Sequence, residues 1–592
     1  MPADLYNPQH FLAPTTVALS DLLGNNFFHV PAYQRDYSWS EENVRALWSD
    51  LLATLERSWT GQGMPVDHPR PHFFGPIVVQ TKPDNPGTVE VMDGQQRLVT
   101  FSILLSTLAE HAAALADDEQ RQVWSGSLHH LLFVFVGGAR RPRVVLGRGQ
   151  QHFESLFCVH LSHAERDQYL TGLPGGTPPE LQAMLDAYGF LRTQLGAHLG
   201  PPGTPEFDER LVRLLRTLLG LSLFLRMEVQ EIGVAYEVFE GLNARGLELS
   251  QADLVKNKLF ALAEQQGTLP DVQIAWETTY GAIRGQTMVD LPLFLQYHHL
   301  VFHGPVRATE LYDVVSTSTL PGTTAKDYAD SVRASAERLQ QTLDAGATFS
   351  DSATRDIERI RDALGNRYAL VLLIASTGQV AIDSPEYEIV LRLAHHFAFR
   401  RFIVEKASLS VYSGEVVEVA RAFANGSTVA DVATALRAKS TDAAFRANFR
   451  EASARTAREG FYVCEMLEHH LGSQAGMLPN PQSPSQHLEH IFPKRPATGA
   501  WPAITPEELE LVVNRYGNLL VLERTINSFI KNKAYDFKKA NVQNKDYAHS
   551  GLKMPHTLAP FEDNGQWTMT SITDRSTTLA DTLACAVWAL DT

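Results

Sequence analysis

The chain is poor in cysteine, with three in 592 residues: Cys158, Cys464 and Cys585. They stand far apart and fit no metal-binding spacing, so a disulfide framework and a cysteine-held metal are both set aside. Such scarcity fits a reducing compartment, and the cytoplasm is expected. Long apolar runs are also missing. The most apolar stretch, 211–225, is broken by Arg213 and Arg216, and its longest uncharged piece, 217–225, is too short to span a bilayer, so no membrane partner is expected. Residues 1–7 hold neither a basic stretch nor an apolar run, which argues against a signal peptide. Positive charge is not in excess either. The net charge of −16 excludes a protein coated with non-specific DNA affinity, so any DNA contact has to come from local basic patches. No internal repeat is visible. What remains is ordinary for a globular chain, 44% apolar and 20% charged. Its length exceeds what one core encloses, and about three domains are expected.

The densest chemistry lies near the carboxyl end. Gln486-His487-Leu488-Glu489-His490-Ile491-Phe492-Pro493 is followed by Asn514-Arg515-Tyr516-Gly517-Asn518-Leu519-Leu520 and Thr525-Ile526-Asn527. Glu489 offers oxygen to a hard divalent ion. His490, on the opposite side of a strand from Glu489, is placed to take a proton from water. Asn518 is suited to bracing the histidine's loop, and Asn527, on a following helix, to closing an ion's coordination. A proline-terminated turn with a buried histidine is the plainer alternative. This pattern resembles the ββα-metal (HNH, or His-Me finger) endonucleases, whose signature is Glu or Asp with His, then Asn, then a further Asn or His. The resemblance implies a general base at His490, Mg²⁺ or Mn²⁺ ligands at Glu489 and Asn527, and a structural bracket at Asn518. Glu489 stands where that family more often has Asp. Beyond Asn518 the chain turns basic: Arg524, Lys531, Lys533, Lys538, Lys539 and Lys545 face Asp536 alone. In an acidic protein this reversal points to a face lying on DNA phosphates, with a solvated surface as the alternative. Lys531, Asn532, Lys533, Lys538 and Lys539 are the candidate DNA contacts.

At the amino end, the strand patterns 27–31, 73–80 and 88–92 surround a second constellation. The third strand runs into Asp93-Gly94-Gln95-Gln96-Arg97 and then directly into a helix to about Leu115. A strand, a glycine turn and a helix start make a cradle for phosphate, and Arg97 adds a fixed fork of donors. Asp93 is suited to holding Mg²⁺ or orienting water. Tyr33, Gln34 and Arg35 follow the first strand, where a loop faces that turn. Together with Trp39, Phe74-Gly75, the segment 235–246 and Leu249-Ser250-Gln251-Ala252-Asp253-Leu254-Val255-Lys256-Asn257, these motifs resemble the ParB-like domain of the GmrS type. In that family this domain is joined to a carboxyl-terminal HNH domain in one chain. Its members include type IV restriction enzymes that attack modified phage DNA and SspE-like proteins that sense phosphorothioate DNA.

The resemblance implies binding and hydrolysis of a nucleoside triphosphate (GTP, ATP or UTP) at Tyr33, Gln34, Arg35, Asp93, Gly94, Gln95, Gln96 and Arg97. Asn243 is placed to close over the nucleotide, and Asp93 and Arg97 are the catalytic residues. It also implies that this activity controls a metal-dependent nuclease acting on double-stranded, modified DNA, and it leaves room for a homodimer. Arg140, Arg141, Arg143 and Arg148, with no acid among them, read equally well as a DNA-backbone patch or as solvated surface. The middle of the chain reads as helical, including one helix over 445–467, and carries no chemical signature. Its paired histidines, His298 with His299 and His395 with His396, point apart on a helix and are not expected to share a metal. Trp567 and Trp588 read as core. The expected fold is α+β and mostly helical: a ParB-like sensor over 1–260, a helical linker over 261–475 and an HNH nuclease over 476–592. Two other functions stay open, a DNA-binding regulator that no longer cuts and a toxin-like nuclease acting on RNA or unmodified DNA.

Overall fold

A computed structural model describes residues 12–60, 64–81, 87–160, 162–173, 177–229, 250–344, 349–473 and 478–592. The chain divides into two compact units, Met1–Tyr280 with Tyr312–Asp330 and Gly281–Leu311 with Ser331–Thr592. Helices dominate, and a mixed sheet in the first unit makes the architecture α+β.

The first unit contains β1 (Leu12–Ala18), β2 (Phe27–Val30), β3 (His72–Thr81), β4 (Thr88–Asp93), the hairpin β5 (Phe133–Val136) and β6 (Ala139–Pro142), β7 (Val144–Leu146) and β8 (Ser222–Val229). Six of these form one sheet in the order β1-β8-β3-β4-β2-β7. β3 runs antiparallel to β4 and parallel to β8, and β2 lies parallel to both β4 and β7. The three strands anticipated from sequence all form. β8 was hidden because it continues an apolar stretch whose first part is the helix Pro205–Leu221; the switch comes at Ser222, which turns extended (φ −84°, ψ 106°). Against the sheet lies the helix Gln95–Ala112, buried along nearly its whole length, including Leu98, Phe101, Leu104, Leu105 and Leu108. Its start is fixed by Gly94 at φ +96°, a left-handed conformation that glycine adopts without strain. A Cβ there would also collide with Ile77 and the Pro76 carbonyl.

The second unit is a helical assembly that carries a small β-β-α element near its carboxyl end, with further short helices after it. The expected single helix over 445–467 is two helices, Asp442–Glu451 and Ala457–His470. Thr456 starts the second by accepting a hydrogen bond from the Glu459 amide at 3.2 Å. The extended break between them pairs with the segment at 514–516: Ala454 N donates to Asn514 O at 2.8 Å, and Tyr516 N to Ala452 O at 3.3 Å. A hydrophobic pattern alone did not separate one helix from two on the same face. β9 (Gln486–His490) then pairs antiparallel with β10 (Leu519–Glu523), and the helix Arg524–Ile530 follows. Trp567 and Trp588 are fully buried in this core, and no described helix is long and apolar enough to cross a membrane.

Candidate active site

In the β9–β10 register His490 lies opposite Leu519, and Glu489 opposite Leu520. Successive residues of a strand point to opposite faces, so Glu489 turns into the core while His490 stays half-buried. Glu489 Oε1 accepts hydrogen bonds from Lys538 Nζ at 2.5 Å and from the Tyr547 hydroxyl at 2.9 Å. Its Oε2 accepts from Asn527 Nδ2 at 3.2 Å. Burial pushes the Glu489 carboxyl upward, and the Lys538 ammonium opposes that push.

Lys538, read from sequence as a DNA contact, is instead fully buried, and its ammonium also donates to the carbonyls of His490 at 3.2 Å and Ile491 at 3.1 Å. An ammonium has three protons to give, and Glu489 with two carbonyls takes them all. Nothing in the sequence separates it from Lys539 beside it. Lys539 is exposed and paired with Glu562 at 2.8 Å.

His490 Nε2 lies 3.1 Å from Asn514 Oδ1. An amide oxygen only accepts, so Nε2 carries the proton and Nδ1 the lone pair. Burial pulls this histidine down to about 4, against the bond from Asn514 and helped by Lys494 and Lys538, so the ring is neutral near pH 7. Asn514 was not among the residues singled out. It stands in the quoted motif, but only the pairing of 514–516 with the inter-helix break shows where it points.

Asn518 is wholly buried and fully used. Its Oδ1 accepts from Phe492 N at 2.8 Å and Trp567 Nε1 at 3.2 Å, and its Nδ2 donates to Phe492 O at 2.9 Å and Val513 O at 2.8 Å. With no donor or acceptor left for a substrate, its geometry is that of a brace for the loop after His490 rather than of a reacting group.

Among the described residues no three His, Cys, Asp or Glu side chains are arranged to hold a metal. One edge nevertheless fits a hard ion. Oε1 of Glu489 is spoken for by Lys538 and Tyr547, whereas Oε2 accepts from the neutral Asn527 amide, whose oxygen would face an ion if the amide turned over. An ion such as Mg²⁺ is often held by one carboxylate, with water and substrate phosphate completing its shell.

The basic segment around this site is otherwise outward-facing. Lys531 and Lys533 are exposed, the latter with its ammonium over the rings of Phe529 at 4.7 Å and Phe537 at 4.1 Å. Asn532 donates to Arg495 O at 3.0 Å and is exposed as well.

In the first unit the structure brings the 33–35 loop onto the Asp93–Arg97 turn. Tyr33 donates to Glu90 at 3.2 Å, and Gln34 Nε2 to the Met92 carbonyl at 3.2 Å. Arg97 donates to the Pro76 carbonyl at 2.8 Å and lies 3.8 Å from Asp93. Burial raises the Asp93 carboxyl, opposed first by Arg97 and then by the Gly94 amide, Arg35 and Lys256. Gln95 and Gln96, read as nucleotide contacts, spend their amides on the loop backbone: Gln95 on Arg35 O, Gln96 on Asp36 O at 3.0 Å and Ser38 N at 2.9 Å. Of the two, Gln95 keeps its Oε1 buried without a hydrogen-bond partner.

Two residues of the 249–257 motif that were given no site role, Asp253 and Lys256, join this cluster. Lys256, buried on the helix Gln251–Gln265, donates to Gln34 Oε1 at 3.0 Å and lies 3.8 Å from Asp253, which is 3.8 Å from Arg35. Their signal was present in the helical spacing of Asp253 and Lys256, one turn apart on one face. Asn243 lies outside the described residues. The four arginines at 140–148 do not form a free patch. Arg140 packs over Phe133, Arg141 and Arg143 over Phe27, and Arg148 over Tyr280, each also donating a hydrogen bond.

A cationic cluster beside the sheet stands in one unit and a carboxylate–histidine–asparagine set on a β-β-α element in the other. The family model for the GmrSD restriction endonuclease N-terminal domain matches residues 19–260, and that for the GmrSD restriction endonucleases C-terminal domain matches 439–582. The chain belongs to the GmrSD restriction endonuclease family. No curated protein matches it.

Proposed function

We propose that the chain is a nucleotide-regulated, modification-dependent DNA endonuclease that cuts at the β9–β10–helix element. The observation that carries this reading is an imidazole tied through Nε2 to Asn514, one residue beyond a carboxylate that Asn527 engages. His490 Nδ1 takes a proton from the attacking water, for which a ring that is unprotonated near pH 7 is suited. Asn514 keeps the ring in the tautomer that exposes Nδ1, and Asn518 holds the loop that carries it. Glu489 Oε2 and Asn527 would hold Mg²⁺ or Mn²⁺, which when bound supplies charge stabilisation at the scissile phosphate and the departing oxygen. Lys531, Asn532, Lys533 and Lys539 supply the phosphate contacts. In the first unit, Arg35, Arg97 and Lys256 present three cationic groups beside Asp93, a set that favours the polyphosphate of GTP, ATP or UTP. Turnover there governs cleavage.

The test is a pair of variants in the full chain. His490→Ala is expected to abolish metal-dependent cleavage while nucleotide hydrolysis continues; Asp93→Ala is expected to abolish nucleotide hydrolysis and, with it, the nucleotide dependence of cleavage. A His490→Ala protein that cuts normally overturns the site. Glucosylated, methylated and phosphorothioate DNA, each with and without nucleotide, identify the substrate. One observation favours a second reading, a nucleotide-dependent DNA-binding regulator that does not cut: Lys538 already neutralises Glu489. Metal-dependent nicking of a plasmid by the native protein rules that reading out.

A further inference from the structure

The Glu489 carboxylate meets an ammonium before it meets anything else. Lys538 Nζ sits 2.5 Å from Oε1, and both side chains are buried, at 0% and 7% exposure. The other partners of the carboxylate, Tyr547 and Asn527, are uncharged. Among the described residues no further carboxylate or imidazole completes a metal-holding group of three. The formal charge of the seat is therefore one negative and one positive. Affinity for a hard divalent ion rises with the number of negative ligands, and a fixed ammonium this close repels such an ion through a poorly screened interior.

We propose that Lys538 sets the charge of this cation seat at neutral, so that a divalent ion is held firmly only when a DNA phosphodiester supplies the missing negative charge. This inference rests on the cation-site reading of Glu489 and Asn527 given above. Ion and DNA then bind with positive coupling, and each raises the affinity of the other by the same factor. A nuclease head built this way stays unloaded away from DNA. Lys538 is a positioning residue here, because it acts through Glu489 and touches neither substrate nor ion. Its two carbonyl contacts, to residues 490 and 491, hold it in place and keep the ammonium from swinging away as the ion arrives.

The experiment uses the full chain carrying His490→Ala, so that bound DNA survives. Mn²⁺ uptake is read by electron paramagnetic resonance, alone and with a fluorescent duplex shown by anisotropy to be bound. The parent is expected to take up Mn²⁺ weakly alone and roughly tenfold or more tightly with duplex. Adding Lys538→Met should tighten DNA-free Mn²⁺ binding by roughly tenfold and erase most of the dependence on DNA. It should also make the melting temperature rise on Mn²⁺ addition far more than in the parent, because the ion then relieves an unpaired buried carboxylate. Tyr547→Phe removes a hydrogen bond from the same oxygen without changing charge, and should leave the coupling as it is. Should Lys538→Met not fold, Lys538→Gln keeps donors for the two carbonyls and replaces it.

Equal Mn²⁺ affinity with and without bound duplex overturns the proposal. So does a Lys538 variant that binds the ion no more tightly than the parent, or a Tyr547→Phe effect of the same size. The underlying reading fails separately: if Glu489→Gln takes up Mn²⁺ as well as the parent does, the ion sits elsewhere.

Discussion

The polar clusters of the two units use charge in opposite ways. Around Asp93 three cationic groups meet the carboxylates of Asp93 and Asp253, and Arg35 keeps its side chain 42% exposed. Around Glu489 a single carboxylate meets a single ammonium, and both are sealed from water. The first arrangement leaves Arg35, and in part Arg97, within reach of an arriving anion, with Lys256 buried behind them. The second cancels its own charge and keeps one carboxylate oxygen, bonded by the neutral Asn527 amide, beside a neutral base. Burying an unpaired charge is far costlier than burying a matched pair, so the interior site has to be balanced by its own residues, whereas the more open one leaves part of its balance to a ligand. A head proposed to bind polyphosphate and one proposed to cut phosphodiesters thus call for different degrees of internal compensation.

The widest gap between the two heads should appear on removing the base. Loss of His490 as a proton acceptor is expected to lower cleavage by about 10²–10⁴-fold, measured as initial nicking rate on plasmid, with nucleotide turnover unchanged. Equal loss of both activities would merge the two heads into one site and break the comparison. Next comes the brace. Asn518→Ala strands four buried partners at once, and unfolding by denaturant should show a loss of about 3 kcal/mol or more. The corresponding change at the other head, Gln96→Ala, frees a loop rather than a core, and a loss of about 1 kcal/mol is expected there.

How much of this was legible in the residues depends on the kind of contact. The strands at 27–30, 72–81 and 88–93 and the helix after Gly94 were readable because each is a local pattern with its own start signal. Glu489, Asn518 and Asn527 were readable as a spacing, and the structure brings Glu489 and Asn527 within hydrogen-bond reach. Asn514 was not, because its orientation comes from pairing with residues 452–454, some sixty positions earlier in the chain. Lys538 was misplaced for a related reason. Composition reports that a segment is basic, but which lysine of an adjacent pair turns inward depends on where a buried carboxylate waits. The arginines at 140–148 teach the same lesson, since their aromatic partners at 27, 133 and 280 are scattered along the sequence.

Acid should separate the heads more gently. His490 is held at about 4, below its ordinary value of 6.5, because burial disfavours the charged ring. The folded protein therefore refuses a proton that the unfolded chain accepts between these two values, and His490 makes stability fall as pH drops through that window. Cleavage, which needs the unprotonated ring, is expected to keep its rate through pH 6.5 and to lose it only nearer 4. The measurement is single-turnover nicking against pH, with unfolding followed in parallel. An acid limb centred at 6.5 would mean that the ring is open to water, since burial is what holds it low.

The smallest effect expected is at the exposed lysines. Lys531, Lys533 and Lys539 stand on a surface where each contact with a phosphate releases about one counterion, so replacing any one by Ala should reduce the slope of log affinity against log salt by about 1 and weaken binding equally for all sequences. Lys539 should give the least, because Glu562 already engages its ammonium at 2.8 Å. Lys538 should leave the slope unchanged, since its charge never reaches solvent. Fluorescence anisotropy over a range of salt concentrations reads all four. A Lys538 variant with a reduced slope would place that ammonium on DNA after all, and Glu489 would then be the uncompensated charge that this account says the interior does not carry.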